Sequence, residues 1–249
     1  MNPKDNLAGK VVAICQPNFM PWLGYFEMGH RADVYVMFDD VQFVKRDWIN
    51  RNRIMCNSGN GRQWIVVPLQ KRKRESFINE MEICNDNNWN EKMIKTLHHV
   101  YCKSPFYNEY IGPIKSVLSK NWHLLVDLNV AIIRTIYEML NIEDNIVMSS
   151  ELNVGFKRDD KLVRLCEKLN ASTFLANNGS KPYINNSKFF KNDIGFVFQD
   201  YQHPHYFTGK NNFQPFLSVI DLIFWNGAES LSIVLKGRNK NWKDDIACT

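Results

Sequence analysis

Three features of the chain predict an α/β fold with a mostly parallel, Rossmann-like sheet and a helical insert between its two halves. Apolar runs of strand length stop abruptly in polar residues, the pattern of strands covered on both faces of a parallel sheet. From residue 89 to residue 140 the hydrophobic period becomes helical. Strand and helix signals then alternate through the second half, which implies right-handed crossovers.

The first half is assigned to residues 1–88. Residues 11–15 (VVAIC) and 33–38 (DVYVMF) are near-continuous apolar runs, joined by a turn and a short helix. The first run is followed by Gln16 and Asn18, the second by Asp39 and Asp40. Ligands of open α/β sheets bind outside the carboxyl ends of strands, so these four side chains are expected to converge on one crevice. Residues 63–69 (QWIVVPL) read as a third strand, stopped by Pro68 and a basic run, and residues 81–84 as a short edge strand.

Residues 89–141 form the insert. Trp89, Met93, Leu97 and Val100 share one helical face, and Pro105 ends that helix. Leu124, Leu128, Ile132, Ile136 and Leu140 make a second stripe, which is core packing. Residues 142–235 resume the sheet, with strands at 145–149, 172–176 and 195–198, helices at 161–169 and near 187–191, and a final helix at 216–225. Asp159 and Asp160 open the helix at 161–169, where its dipole favours acids. The tail, 236–249, is polar and expected to fray.

The bulk numbers narrow the function classes. At 249 residues, with 45% hydrophobic and 13% aromatic content, the chain can bury a full core. No apolar run approaches the roughly 18 residues of a transmembrane helix. The first ten residues lack the apolar core of a signal peptide, so a cytoplasmic protein is expected. Cys15, Cys56, Cys84, Cys102, Cys166 and Cys248 are scattered without a CxxC. Neither disulfides nor a structural zinc site is expected from that spacing, and Cys15 and Cys166 read as small buried hydrophobes. The net charge of +5 owes part of its value to KRKRE at residues 71–75. That run is either a solvated loop or a landing patch for a nucleotide, the phosphopantetheine arm of a carrier protein, or RNA. No dedicated nucleic-acid motif, GxSxG, kinase signature, GxGxxG or P-loop is present.

The candidate site residues fall in four stretches. In QPNFMPWLGYF (residues 16–26), two prolines and a glycine force a defined turn. Gln16 and Asn18 offer amides, Gly24 lets the chain approach another group closely, and Trp22 and Tyr25 offer rings. After the second strand only one of Asp39 and Asp40 can face a given site. A single carboxylate there, Asp40, suits a general base, with Lys45 as the nearby cation. In DWINRNRI (residues 47–54), Asn50 and Asn52 face one way and Arg51 and Arg53 the other if the chain is extended. Arginine is suited to bidentate contact with phosphate or carboxylate, which favours Arg51. After later strands, NNGSKPY offers Asn177, Gly179 and Ser180 to a phosphate, and QDYQHPHY brings His203 and His205 near Asp200. The plain alternatives are a structural corner, a loop-capping aspartate, a charged surface strand and an aromatic-rich loop.

With these residues in view, the chain resembles the WbqC-like family. QPN at 16–18, PWLGYF at 21–26, DDVQF at 39–43, WINRNRI at 48–54, QDYQHP and LSVIDLIF (217–224) carry the resemblance, which covers nearly the whole chain. It implies a setting among enzymes of surface-polysaccharide (O-antigen) and nucleotide-sugar biosynthesis. The opening unit also looks like that of nucleotidylyltransferase-superfamily enzymes, including pantoate–β-alanine ligases. Those place HxGH at the turn to bind ATP phosphates, whereas this chain has Trp22-Leu23-Gly24-Tyr25 and lacks both histidines.

The expected function is therefore a transferase that forms an amide on a nucleotide-linked amino sugar, taking an acyl or aminoacyl group from an activated donor. No bound cofactor and no metal are expected; the donor would be a thioester of coenzyme A or of an acyl carrier protein. Asp40 or His203 would be the base, with Gln16, Asn18, Trp22, Gly24, Tyr25, Lys45, Asn50, Arg51, Asn177, Gly179 and Ser180 binding substrate. No membrane or nucleic-acid partner is favoured. An ATP-dependent amide ligase or nucleotidylyltransferase, and a non-catalytic module binding a sugar nucleotide or carrier protein, are the alternatives.

Overall fold

The computed structural model of the chain describes residues 9–56, 61–71, 75–155, 158–182, 184–209 and 213–241. Five parallel strands form the main sheet: β1 (Val11–Cys15), β2 (Val34–Met37), β5 (Ile146–Met148), β6 (Thr173–Ala176) and β7 (Gly195–Phe198). Their spatial order is β5-β2-β1-β6-β7. The chain winds outward in one direction from β1 through β2 to β5, then returns to the other side of β1 for β6 and β7. The reversal lies between β1 and β6, where such sheets open a crevice at their carboxyl ends.

The alternation of side chains along each strand divides the interior into two layers. Val11 and Ala13 of β1 join Tyr35, Met37, Leu175 and Val197 in one core. Val12 and Ile14 join Val36, Phe174 and Phe196 in the other. The first core is covered by α1 (Leu23–Arg31), α4 (Leu125–Met139), α7 (Val219–Asn226) and α8 (Ser230–Lys236). The second is covered by α5 (Arg158–Lys168) and α6 (Ser187–Phe190), whose Phe189 stacks on Phe174 with ring centroids 4.7 Å apart.

The helical segment comprises α2 (Trp89–Tyr101), α3 (Tyr107–Leu118) and α4, and it shares the first core with the sheet helices. Of the apolar stripe, Leu128, Ile132, Ile136 and Leu140 are buried as their spacing implies, while Leu124, at the start of α4, is half-buried.

Two strand expectations need correction. The run at residues 63–69 does not join the main sheet. Its β4 (Arg62–Val66) pairs antiparallel with β3 (Arg51–Met55) in a separate two-stranded hairpin. Ile65 faces the core while Arg62, Trp64 and Val66 are exposed, a two-residue period that a fully buried parallel strand would not have. Residues 81–84 form only isolated bridges, Leu69 with Ile83 and Glu82 with Leu124.

The chain end is held further along than expected. Arg238 donates from Nε to Glu27 at 2.7 Å, and Tyr201 donates its hydroxyl to the Val234 carbonyl at 2.9 Å. Residues 242–249, most of the expected frayed tail, lie outside the described residues. So do residues 72–74 of the basic run and Tyr183.

Candidate functional site

The turn after β1 is fixed by hydrogen bonds to its own backbone. Buried Asn52 of β3 donates its amide to the carbonyls of Phe19 (3.1 Å) and Met20 (2.7 Å). Buried Asn129 of α4 donates to the carbonyls of Pro17 and Ile49, both at 2.8 Å. The Phe19 amide donates to the Trp48 carbonyl at 3.1 Å. Each of these carbonyls would otherwise be a buried acceptor with no partner, at a cost of about 1–3 kcal/mol. Hairpin and insert thus hold one turn in place, although the chain reaches them tens of residues later.

With the backbone supplied by others, the turn's own amides are left over. The side chains of Gln16 and Asn18 make no hydrogen bond among the described residues, and both line a cavity of about 770 Å³ at the β1/β6 reversal. Cys15, Phe38, Asp159, Leu162, Phe174, Asn177, Ser180, Pro182 and Ile184 complete most of its wall. Asn177 directs Nδ2 at the Cys15 sulfur, 3.6 Å away, and Ser180 donates its hydroxyl back to the Asn177 carbonyl at 2.6 Å. Gly179 lies in the same short turn, Asn178–Ser180. Burial pushes the Cys15 thiol above its ordinary range, which disfavours the thiolate. Among the described residues the wall is amide, hydroxyl, aliphatic and aromatic, with one carboxylate, Asp159, and no cation. Asp159 sits in the first turn of α5 and accepts the Asn185 amide at 3.3 Å.

Four of the residues singled out from sequence therefore meet: Gln16, Asn18, Asn177 and Ser180. Asp39 and Asp40 do not line this cavity. Asp39 is buried and accepts from the Ser149 hydroxyl (2.9 Å), the Ser150 amide (3.0 Å) and the Ser150 hydroxyl (2.7 Å). Asp40 pairs with Lys161 at 2.5 Å and accepts from Ser149. Together they clamp the end of β2 to the end of β5 and, through Lys161, to α5, the helix whose first turn carries Asp159.

The aromatic residues of the turn are used elsewhere. The Tyr25 ring is buried, with its hydroxyl 3.1 Å from the Gln16 carbonyl and 3.0 Å from the Met37 sulfur. Trp22 lies against Tyr201, His203 and Phe216, with ring centroids 5.5, 6.1 and 5.5 Å away. The close approach that Gly24 permits is to this indole: a Cβ there would fall 2.4 Å from its Cη2. His203 stacks on Trp22 and meets Phe213 and Phe216 edge-on. Its Nδ1 is 2.9 Å from the Pro204 carbonyl, and burial lowers its pKa below the ordinary histidine value. It belongs to this aromatic cluster, not to the cavity wall.

Arg51 and Arg53 point outward from the hairpin, as the alternation implies. Arg51 lies over the Trp64 ring at 4.1 Å and donates to the Arg46 carbonyl, while Arg53 lies 4.9 Å from the Trp48 ring centroid. Lys45 and Asn50 line a second cavity, of about 940 Å³, bounded by the loop after β2 and residues 69–71.

Sequence reasoning missed Cys15, Phe38, Asp159 and Leu162 as wall residues. For Cys15 and Phe38 a signal existed, since each ends a strand whose carboxyl edge was already under suspicion. Asp159 carried none beyond its place in a helix first turn. Among the described residues no cluster of His, Cys, Asp and Glu could hold a metal ion.

Known proteins add the following. An uncharacterized protein, Rv1507c, of Mycobacterium tuberculosis (strain ATCC 25618 / H37Rv) is 28% identical over 223 residues, covering 89% of this chain and 96% of its own. No solved structure matches the chain. The WbqC-like protein family matches residues 16–233, the stretch that contains the β1 turn, the hairpin, the insert and the three later strands, and the chain belongs to that family.

Proposed function

We propose that the protein is a cytoplasmic transferase that places an acyl or aminoacyl group on the amine of a nucleotide-linked amino sugar, in the assembly of a surface polysaccharide. One observation carries this reading. The β1/β6 crevice presents two amide side chains with no partner among the described residues, Gln16 and Asn18, beside Asn177 and aromatic walls. Amides that donate and accept, set against a flat apolar face, are suited to a ring bearing hydroxyl and amine groups. A volume of about 770 Å³ is ample for a sugar and the end of a thioester. The family resemblance supplies the polysaccharide setting.

In the proposed reaction the sugar amine attacks the thioester carbonyl. The nitrogen loses a proton to the Asp159 carboxylate, the C–S bond breaks, and the thiol leaves with a proton as the amide forms. Gln16 or Asn18 would donate to the carbonyl oxygen as it gains charge. An acyl-enzyme on Cys15 is not invoked, because its thiol is held in the neutral form.

The test is a thermal-shift screen of nucleotide-linked amino sugars, coenzyme A thioesters, acyl carrier proteins and ATP, followed by turnover assays on whatever binds. A ligand that binds only the folded state raises Tm by mass action. Free thiol appearing only when the amino sugar is present is the expected result. Release of AMP or pyrophosphate would instead assign an ATP-dependent ligase or nucleotidylyltransferase. Binding without turnover would assign a non-catalytic module.

A further inference from the structure

The second cavity has a chemistry opposite to the first. Lys45, Arg46 and Lys71 line it together with the amides Gln42, Asn50 and Gln70 and the apolar Phe43, Val44, Leu69 and Met81. Among the described residues none of the three cations has a carboxylate within ion-pair distance, and the cavity wall contains no acidic side chain. Three cations with no carboxylate partner among the described residues give the concavity a positive potential that favours an anion.

The loop that carries two of them is shaped for the purpose. Arg46 has φ +65°, a left-handed conformation that a residue with a Cβ adopts at a cost. Arg51 secures it, donating to the Arg46 carbonyl and, at 3.4 Å, to the Asp47 carbonyl, while its guanidinium rests on Trp64. Gln42 is bridged to Phe77 across the cavity's base. Arg51 is thus a positioning residue for the loop and does not itself line the cavity.

A short stretch of chain links the two: Phe38 lines the crevice and Gln42 the second cavity, and four residues span at most about 14 Å of extended chain. We propose that this cavity binds the diphosphate of a phosphorylated small molecule, gripped by Lys45, Arg46 and Lys71. The bound molecule is a nucleoside diphosphate that carries the sugar of the proposed reaction. The anion site stands on the cavity alone; only the attached sugar rests on the transferase reading.

The experiment is calorimetric titration of the full chain with inorganic pyrophosphate and, separately, with nucleoside diphosphates. A double variant, Lys45→Ala with Arg46→Ala, and a crevice variant, Asn177→Ala, are titrated beside it. Both probes are expected to bind, more weakly as salt rises, with the double variant losing about tenfold or more and Asn177→Ala unchanged. Because Lys45 and Arg46 are exposed, the double variant should fold normally. Arg51→Lys, which keeps the charge and loses the fork, should weaken pyrophosphate binding without removing a cation from the wall. No binding of either probe, or equal binding by the double variant, overturns the site. Acyl transfer that persists unchanged in a double variant that has lost pyrophosphate binding overturns the attached sugar and leaves both the anion site and the transferase reading standing. Pyrophosphate binding through Lys45 and Arg46 with no acyl transfer to any amino sugar overturns the transferase reading and leaves the anion site standing.

Discussion

Asp221 gives a prediction whose size and sign both follow from its surroundings. It lies in the first turn of α7 with no solvent exposure, and accepts the hydroxyls of Tyr101 at 2.8 Å and Tyr206 at 2.9 Å. Burial lifts its carboxyl from 3.8 to about 6, against the opposing effect of the two phenol hydrogen bonds. The unfolded chain gives up this proton near the ordinary carboxylate value, whereas the folded protein keeps it up to about 6. Between those values the folded state binds more protons, so stability falls as pH rises through the window. It is fully present below about 4 and reduced above about 6. Two units at 1.36 kcal/mol each make the loss about 3 kcal/mol. Asp221→Asn stays neutral throughout and retains an acceptor for one phenol. Urea denaturation of both proteins from pH 4 to pH 7 should show the variant gaining about 3 kcal/mol relative to the native chain as pH rises. A difference that stays flat with pH, or moves the other way, refutes the reasoning.

Other consequences are simpler to state. Glu27, with no exposure, accepts from Arg31 at 2.8 Å, Arg238 at 2.7 Å and Gln199 at 2.6 Å. Glu27→Gln leaves the Arg31 charge, whose side chain is 1% exposed, without its carboxylate, and should cost about 3–5 kcal/mol in chemical denaturation. Arg238→Ala should cost far less, since Glu27 keeps Arg31. Asn129→Leu removes the donor to the Pro17 and Ile49 carbonyls and should cost about 2–4 kcal/mol. That variant should also weaken any ligand of the β1 turn, read as a smaller Tm rise on ligand addition.

The parallel sheet was legible because its strands are buried on both faces and so appear as unbroken apolar runs. The insert was legible through the stripe from Leu128 to Leu140. What sequence could not supply is partnership across the chain. Asp40 looks available until Lys161 and Ser149, more than a hundred residues later, are found beside it. His203 looks like a base until Trp22 and Phe216 are found around it. The hairpin was misplaced because one apolar run was taken without its partner, β3, whose outward arginines hide its strand period. The short helix α8 was missed, having fewer than two full turns and no capping side chain. Gln16 and Asn18 were found for a sound reason: polar residues ending a buried strand must face an edge, and here the edge is the reversal point.

The free amides of that turn are what the proposed function depends on most. Titration of the native chain, Asn18→Leu and Gln16→Leu with nucleotide-linked amino sugars, each protein also melted without ligand, measures their role directly. Both variants are expected to melt within a few degrees of native, as neither amide has a partner among the described residues, while sugar-nucleotide binding falls about tenfold or more for each amide lost. Undiminished binding in both variants, or no binding by the native chain to any such compound, would contradict the proposed function.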